Sequence, residues 1–319
     1  MLPWIYLTLG LGLLYVGAQT LIRGGAALAL RLGLSALAVG LTVIAYGTSS
    51  PEMVVSVQAA LSGNGAISLG NVVGSNICNI LLILGLAAAI APVSAHVQVI
   101  RREIPVMIAA TVLAMGLLWD GGLGRVDGVI LLASVIAYTV LTLRDARRAH
   151  AAAVEKEFKD ELPAVKGIGA WAAAGLVILG LLILALGSHL FVDGAIQLAS
   201  GWGISQAVIG LTIVAVGTSL PELATSVVAS VKGDSDVAVG NVVGSNIFNL
   251  LGILGVAALL QPIDGSDISR VDLGVMLAAA VLLLPLVQAR GKVGRLEGAL
   301  MLATFAGYTW WLVGSVGSA

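Results

Sequence analysis

The sequence predicts an all-α integral membrane protein of ten transmembrane helices, arranged as two inverted five-helix repeats with helices 2 and 7 discontinuous. Three observations predict it: a very apolar composition, a self-match at an offset of 170 residues, and a Gly-x-x-x-Pro break at matching places in two apolar spans.

Of the 319 residues, 59% are hydrophobic and 10% charged, and the mean hydropathy is +1.05. A soluble globular protein carries roughly a quarter charged residues. Sixteen Lys and Arg with 17 Asp and Glu cannot form the charged skin of a soluble chain this long. An ordinary soluble enzyme and a disordered chain are thereby excluded. The net charge of −1 offers no basic patch, so no nucleic acid is expected as a partner. Aromatics at 5% and 41 glycines suit close-packed helices better than an outer-membrane barrel. The single cysteine, Cys78, reads as a small buried hydrophobe. Residues 1–22 lack a basic leader and are long enough to span, so they read as the first helix.

Crossing about 30 Å of hydrocarbon takes about 20 apolar residues. With Gly, Pro and charges as punctuation, spans fall near 3–22, 34–61, 66–91, 104–119 and 126–143. Five more fall near 170–191, 204–231, 237–260, 272–289 and 296–315. The organisation expected is a first repeat over 1–143, a polar linker over 144–167 and a second repeat over 168–319. With the N-terminus outside, 14 of the 16 basic residues lie on one face, and Arg125 and Arg270 alone on the other. The positive-inside rule then puts both termini outside and the linker in the cytoplasm. The linker is too short for a folded regulatory domain.

Residues 33–86 match residues 203–256 at 28 of 54 positions without a gap. The best stretches are GTSSPE (47–52) with GTSLPE (217–222), and GNVVGSNICN (70–79) with GNVVGSNIFN (240–249). Runs of Gly, Asn, Ser, Pro and Glu do not arise from apolar bias, so the chain is a duplication. Five spans per half make the second half enter the membrane inverted. Inverted repeats belong to secondary transporters with a site near the midplane, although channels can also be duplicated.

Pro51 and Pro221 lack an N–H and clash with the carbonyl four residues back, so the helix is expected to unwind over Gly47–Ser50 and its counterpart. The carbonyls of Ala45 and Ala215, among others, would then need protein, water or an ion as partner. Directly after each break comes a glutamate, and Glu52 and Glu222 are the two acids that fall mid-span. A charge at that depth is costly unless paired, and no Lys or Arg lies near it. Protonation or a bound cation remains. Carboxylates with carbonyls, hydroxyls and amides make an all-oxygen site, suited to Ca²⁺ and open to Na⁺. Asn71, Ser75 and Asn79 lie at i, i+4 and i+8, and Asn241, Ser245 and Asn249 repeat the stripe. Asn71, Asn76, Asn241 and Asn246 read as interhelical glue. Ser75, Asn79, Ser245 and Asn249 lie deeper and read as ligands. Gly70, Gly74, Gly240 and Gly244 flank the stripe and admit a close neighbour.

With both motifs in both halves, the chain resembles the calcium/cation antiporter superfamily, in particular its prokaryotic sodium/calcium exchanger branch. The resemblance implies Ca²⁺ coordination by Glu52 and Glu222, a carbonyl and a hydroxyl from Thr48, Ser49, Thr218 and Ser219, and further ligands at Ser75, Asn79, Ser245 and Asn249. It also implies exchange of Ca²⁺ for several Na⁺ by alternating access, with the first and sixth helices sliding across the rest. Related exchangers often carry Asp where Asn249 stands, so the resemblance argues against K⁺ co-transport here. Relatives that use protons usually carry Asn-Ala in place of Thr-Ser before the Glu, which favours Na⁺. An H⁺/Ca²⁺ or other divalent-cation antiporter is the alternative, because a buried carboxylate can take up a proton. An intramembrane enzyme would need a nucleophile with a base, or a metal with His ligands. His96, His150 and His189 are scattered over loops and span ends, so no enzyme is expected. The reading is a prokaryotic plasma-membrane antiporter with Ca²⁺ and Na⁺ as cargo, no cofactor and no obligate protein partner.

Overall fold

The computed structural model describes residues 2–148, 167–202, 215–265 and 268–316. In hydrocarbon each backbone N–H and C=O needs a partner inside the protein, so the apolar runs fold as helices. The first half holds α1 (Leu2–Leu32), α2 (Ala36–Thr48), α3 (Ser50–Leu61), α4 (Gly65–Ile90), α5 (Val99–Asp120) and α6 (Arg125–Arg148). The second holds α7 (Ala170–Gly201), α8 (Ala215–Gly217), α9 (Leu220–Lys232), α10 (Ser235–Leu260), α11 (Arg270–Arg290) and α12 (Arg295–Val316). Four two-residue strands sit between helices: β1 (Val93–Ser94), β2 (Gly122–Leu123), β3 (Ile263–Asp264) and β4 (Lys292–Val293). Among the described residues α1, α4, α5, α6, α7, α10 and α11 are long and apolar enough to cross a membrane. The chain is an all-α membrane protein.

Glycine proved a poor stop signal in the first helix of each half. α1 runs to Leu32 and α7 to Gly201, ten residues past the expected ends at 22 and 191. Their glycines are contact points instead. Gly10, Gly17 and Gly24 on α1 and Gly180, Gly187 and Gly194 on α7 recur every seven residues, which keeps one seam facing the partner. A Cβ at any of the six would lie 2.6–2.8 Å from a backbone atom of the other helix. Gly24 meets Val177 while Gly194 meets Pro3, so the two helices run antiparallel. α6 likewise continues to Arg148, into the stretch assigned to the linker. Residues 149–166 of that linker, with Lys156, Lys159 and Lys166, lie outside the described residues, as do 204–214 of the seventh expected span.

The two halves interlock through pairs that a shift of 170 residues exchanges. Strand β1 pairs antiparallel with β4, and β2 with β3. Gly85 packs on Gly298 of α12, and Gly255 packs on α6 beside Gly128. Each bond set therefore joins one half to the other. The Asn- and Ser-bearing helices are the most enclosed: 72% of the apolar window of α4 and 83% of that of α10 is buried, against 28–33% in the other long spans. Polar residues on these two helices consequently face protein. Gly240 and Gly244 let α10 lie against α2, where a Cβ at Gly244 would sit 2.5 Å from the Leu41 carbonyl oxygen. The positions facing Gly70 and Gly74 under the duplication fall within 203–214, outside the described residues.

This contact sets a stability test. Gly244→Ala forces backbone apart and should cost about 1–3 kcal/mol, read as a lowered melting temperature of the detergent-solubilised protein. Gly274→Ala has no heavy atom within 4 Å of its new Cβ. It should leave melting unchanged or raise it, since Ala is the better helix former by about 1 kcal/mol.

Candidate ion-binding site

The site is built on the two interruptions. Pro51 stands in the first turn of α3, where its missing N–H costs little, and Ser49 turns the chain between α2 and α3 with φ −80° and ψ 9°. Ser219 does the same between α8 and α9 with φ −89° and ψ 8°. The break is shorter than the four-residue unwinding that the sequence suggests. Ser49 N–H still reaches the Ala45 carbonyl at 3.0 Å, and the Ser49 carbonyl already accepts from Met53 N–H at 3.1 Å. A bridge-region turn changes direction within one residue, so most helical bonds survive it. The Ala45 carbonyl accepts further from Thr48 Oγ1 at 3.3 Å and from Ser245 Oγ at 3.4 Å. Ala45 is thus well supplied with donors. Ala215 opens α8, and Thr218 lies in the turn that follows.

Glu52 and Glu222 open α3 and α9, and both are 1% exposed. Each is held by the other half. Ser219 Oγ donates to Glu52 Oε1 at 2.9 Å, and Ser49 Oγ donates to Glu222 Oε1 at 2.8 Å. Both Oε2 atoms are buried without a hydrogen-bond partner. Among the described residues no Lys or Arg forms an ion pair with either carboxylate. The ion pairs present there, such as Arg102 with Asp145 and Arg290 with Glu297, involve other acids.

The Asn and Ser motifs supply two kinds of contact. Asn71 Nδ2 donates to Ser56 Oγ at 2.9 Å and to the Glu52 carbonyl at 3.3 Å. Asn241 Nδ2 makes the same bonds, at the same distances, to Ser226 Oγ and the Glu222 carbonyl. These two asparagines tie each glutamate-bearing helix to its neighbour. Asn241 Oδ1 also accepts from Thr48 Oγ1 at 3.1 Å, which links the halves. Asn79 Nδ2 donates to Asn246 Oδ1 at 3.2 Å, leaving its own Oδ1 without a partner. Ser75 Oγ and both amide atoms of Asn249 are buried and unpartnered as well. Six of the ten such side-chain atoms among the described residues therefore belong to residues read from the sequence as ligands. Five of the six are oxygens: one from each glutamate, one hydroxyl and two amides. An oxygen set with two carboxylates suits a hard cation of the Ca²⁺ or Na⁺ kind.

Three features were not visible in the sequence. The helices widen into π-helical stretches at Gly40–Ile44, Cys78–Leu84 and Phe248–Ile253. Two of these contain Asn79 and Asn249, so the extra residue per turn rotates those amides away from a strict i, i+4 line. Tyr46 stacks on Phe248 with ring centroids 4.2 Å apart, and its hydroxyl lies 2.6 Å from Thr139 Oγ1. The duplicate positions hold Val216 and Cys78, so the aromatic pair has no counterpart. Ser188 of α7 donates to the Gly217 carbonyl at 2.6 Å. Its one trace in the sequence is a hydroxyl where the other half has Ala18.

The chain is similar along most of its length to known proteins. The profile of the family described as sodium/calcium exchanger protein matches twice, over residues 2–144 and 172–314. CaxA of Alkalimonas amylolytica is 39% identical over 317 residues, covering 98% of each chain. The inner membrane protein YrbG of Escherichia coli is 38% identical over 303 residues, covering 94% of this chain and 93% of its own. A solved structure of the sodium-calcium exchanger NCX_Mj, soaked with Na⁺ and Ca²⁺, superposes with a TM-score of 0.80 at 35% identity, covering 95% of this chain and 96% of its own. The chain belongs to the sodium/calcium exchanger family.

Proposed function

We propose that the protein is a secondary antiporter that exchanges Ca²⁺ for Na⁺ by alternating access. One observation carries the proposal: Glu52 and Glu222 are buried, lack a basic partner among the described residues, and each keeps an uncommitted oxygen beside neutral oxygen donors. Membership of a family of transporters gives that geometry its direction. Glu52 and Glu222 would bind the cation directly. Ser49, Ser219, Thr48, Thr218, Ser75, Asn79, Ser245 and Asn249 would complete its shell as it displaces the crossed serine bonds, with the Ala45 and Ala215 carbonyls behind them. A site of charge −2 neutralises one Ca²⁺. The transported ions are cargo, and the exchange needs no cofactor.

The same reading gives the protein ten spans in two inverted repeats, residues 1–143 and 168–319, joined by a cytoplasmic linker over 144–167. Two separate family matches and the pairwise exchange of interhelix contacts at an offset of 170 residues support it. Both termini then face outward from a prokaryotic plasma membrane, the orientation that the distribution of basic residues favours.

In proteoliposomes, an outward Na⁺ gradient should drive Ca²⁺ uptake while a pH gradient alone should not; uptake driven by the pH gradient alone assigns the coupling to protons. Glu52→Gln and Glu222→Gln should each reduce that uptake to background, whereas Ser49→Ala and Ser219→Ala should weaken apparent Ca²⁺ affinity by about 10–100-fold. Normal flux in either glutamine variant refutes the site. For topology, a cysteine at Glu155 in a Cys78→Ala background should resist an impermeant thiol reagent in intact cells and react after lysis. Labelling in intact cells would invert the assignment.

A further inference from the structure

Helix α7 lies against both interruptions. A Cβ at Gly47 would meet Leu181 Cδ1 at 2.8 Å, and a Cβ at Gly217 would meet Val192 Cγ2 at 2.5 Å. These two contacts lie about 16 Å apart along the helix axis. Any axial shift of α7 therefore alters its packing at both breaks together. Between them stands Ser188, 8% exposed, with its hydroxyl on the Gly217 carbonyl at 2.6 Å. That carbonyl needs a donor, because the residue four positions on is Pro221, which has no N–H. An unpaired carbonyl inside a membrane protein is costly.

The hydroxyl is available in one register of α7. The residues one turn away on the same face are Leu184 and Val192, and neither carries a donor. Sliding α7 by a turn in either direction thus takes the hydroxyl from Gly217. Nor does the pseudo-symmetric break have an equivalent, since the position matching Ser188 is Ala18 on α1. The glycine seam between α7 and α1 is backbone-to-backbone. Contacts of that kind change gradually with displacement, whereas a short hydrogen bond is made or lost.

We propose that Ser188 is a positioning residue for the exchange cycle: its bond to Gly217 holds α7 in this register and biases the two-sided site toward one orientation. This inference rests on the antiport reading. Ser188→Ala leaves the Gly217 carbonyl without its partner in this register and so depopulates that orientation in favour of the opposite one. Apparent affinity at each face scales with the fraction of protein competent to bind there. The two faces must therefore respond in opposite senses, which a general loss of packing would not produce.

The test uses the full chain in vesicles of uniform orientation, with the KM for Ca²⁺ measured separately from each side. In S188A the ratio of the two KM values should change by about two- to tenfold, one rising and the other falling. Ser188→Thr keeps the hydroxyl and should retain the original ratio. An unchanged ratio in S188A, movement of both KM values in one direction, or an S188T ratio equal to that of S188A overturns the inference while leaving antiport intact. Absence of Ca²⁺ exchange by the unsubstituted chain overturns the antiport reading, and the inference with it.

Discussion

A carboxylate carried into the interior of a membrane protein must be hydrogen-bonded, neutralised or both, and this requirement organises the centre of the protein around Glu52 and Glu222. Neither has a basic neighbour among the described residues, and each has a serine from the opposite half on one oxygen. The crossed serines make the halves interdependent. The helix bearing one glutamate cannot shift without disturbing the donor to the other. The Asn71 and Asn241 bonds extend that dependence outward, because they fix each glutamate's helix to the enclosed helices α4 and α10.

The interruptions make this possible with little loss of backbone bonding. A proline in the first turn of a helix gives up a hydrogen bond that the helix end would lack anyway. The glutamate that follows it lies in the first turn of the new helix, where the helix dipole favours negative charge. Each proline deprives the carbonyl four residues back of its helical donor, and in the second half a hydroxyl from α7 takes the place of that donor. The two breaks therefore differ although their motifs nearly coincide. An exact two-fold arrangement would offer the cation identical environments on both sides. Ser188 in place of Ala, and the Tyr46–Phe248 stack in place of Val216 and Cys78, remove that equivalence.

Much of the fold was legible because hydrocarbon permits so few solutions: an apolar run long enough to cross it becomes a helix. What misled was punctuation. The first helix of each half was expected to end near 22 and 191, yet α1 and α7 continue through Gly24 and Gly194, because a glycine beside another helix serves close approach. The extent of each break was also misjudged, since a proline signals a lost bond without revealing how quickly the next helix resumes. Ser49 alone resolves the first break, and Thr218 with Ser219 the second.

The candidate site divides along the same line. Residue identity and repetition alone singled out Glu52 and Glu222, set Asn71 and Asn241 apart from Asn79 and Asn249, and marked the chain as a membrane protein with an internal sequence repeat, because each reading follows from composition, depth and spacing. Tertiary structure decided which atoms stay free. Asn79 spends its amide nitrogen on Asn246, Asn249 keeps both amide atoms unpaired, and Ala45 finds donors in Thr48, Ser49 and Ser245. Those outcomes depend on π-helical turns and on contacts between residues some 170 to 200 positions apart. A hydrogen bond is settled by distance and angle in space, and no local pattern along the chain encodes either.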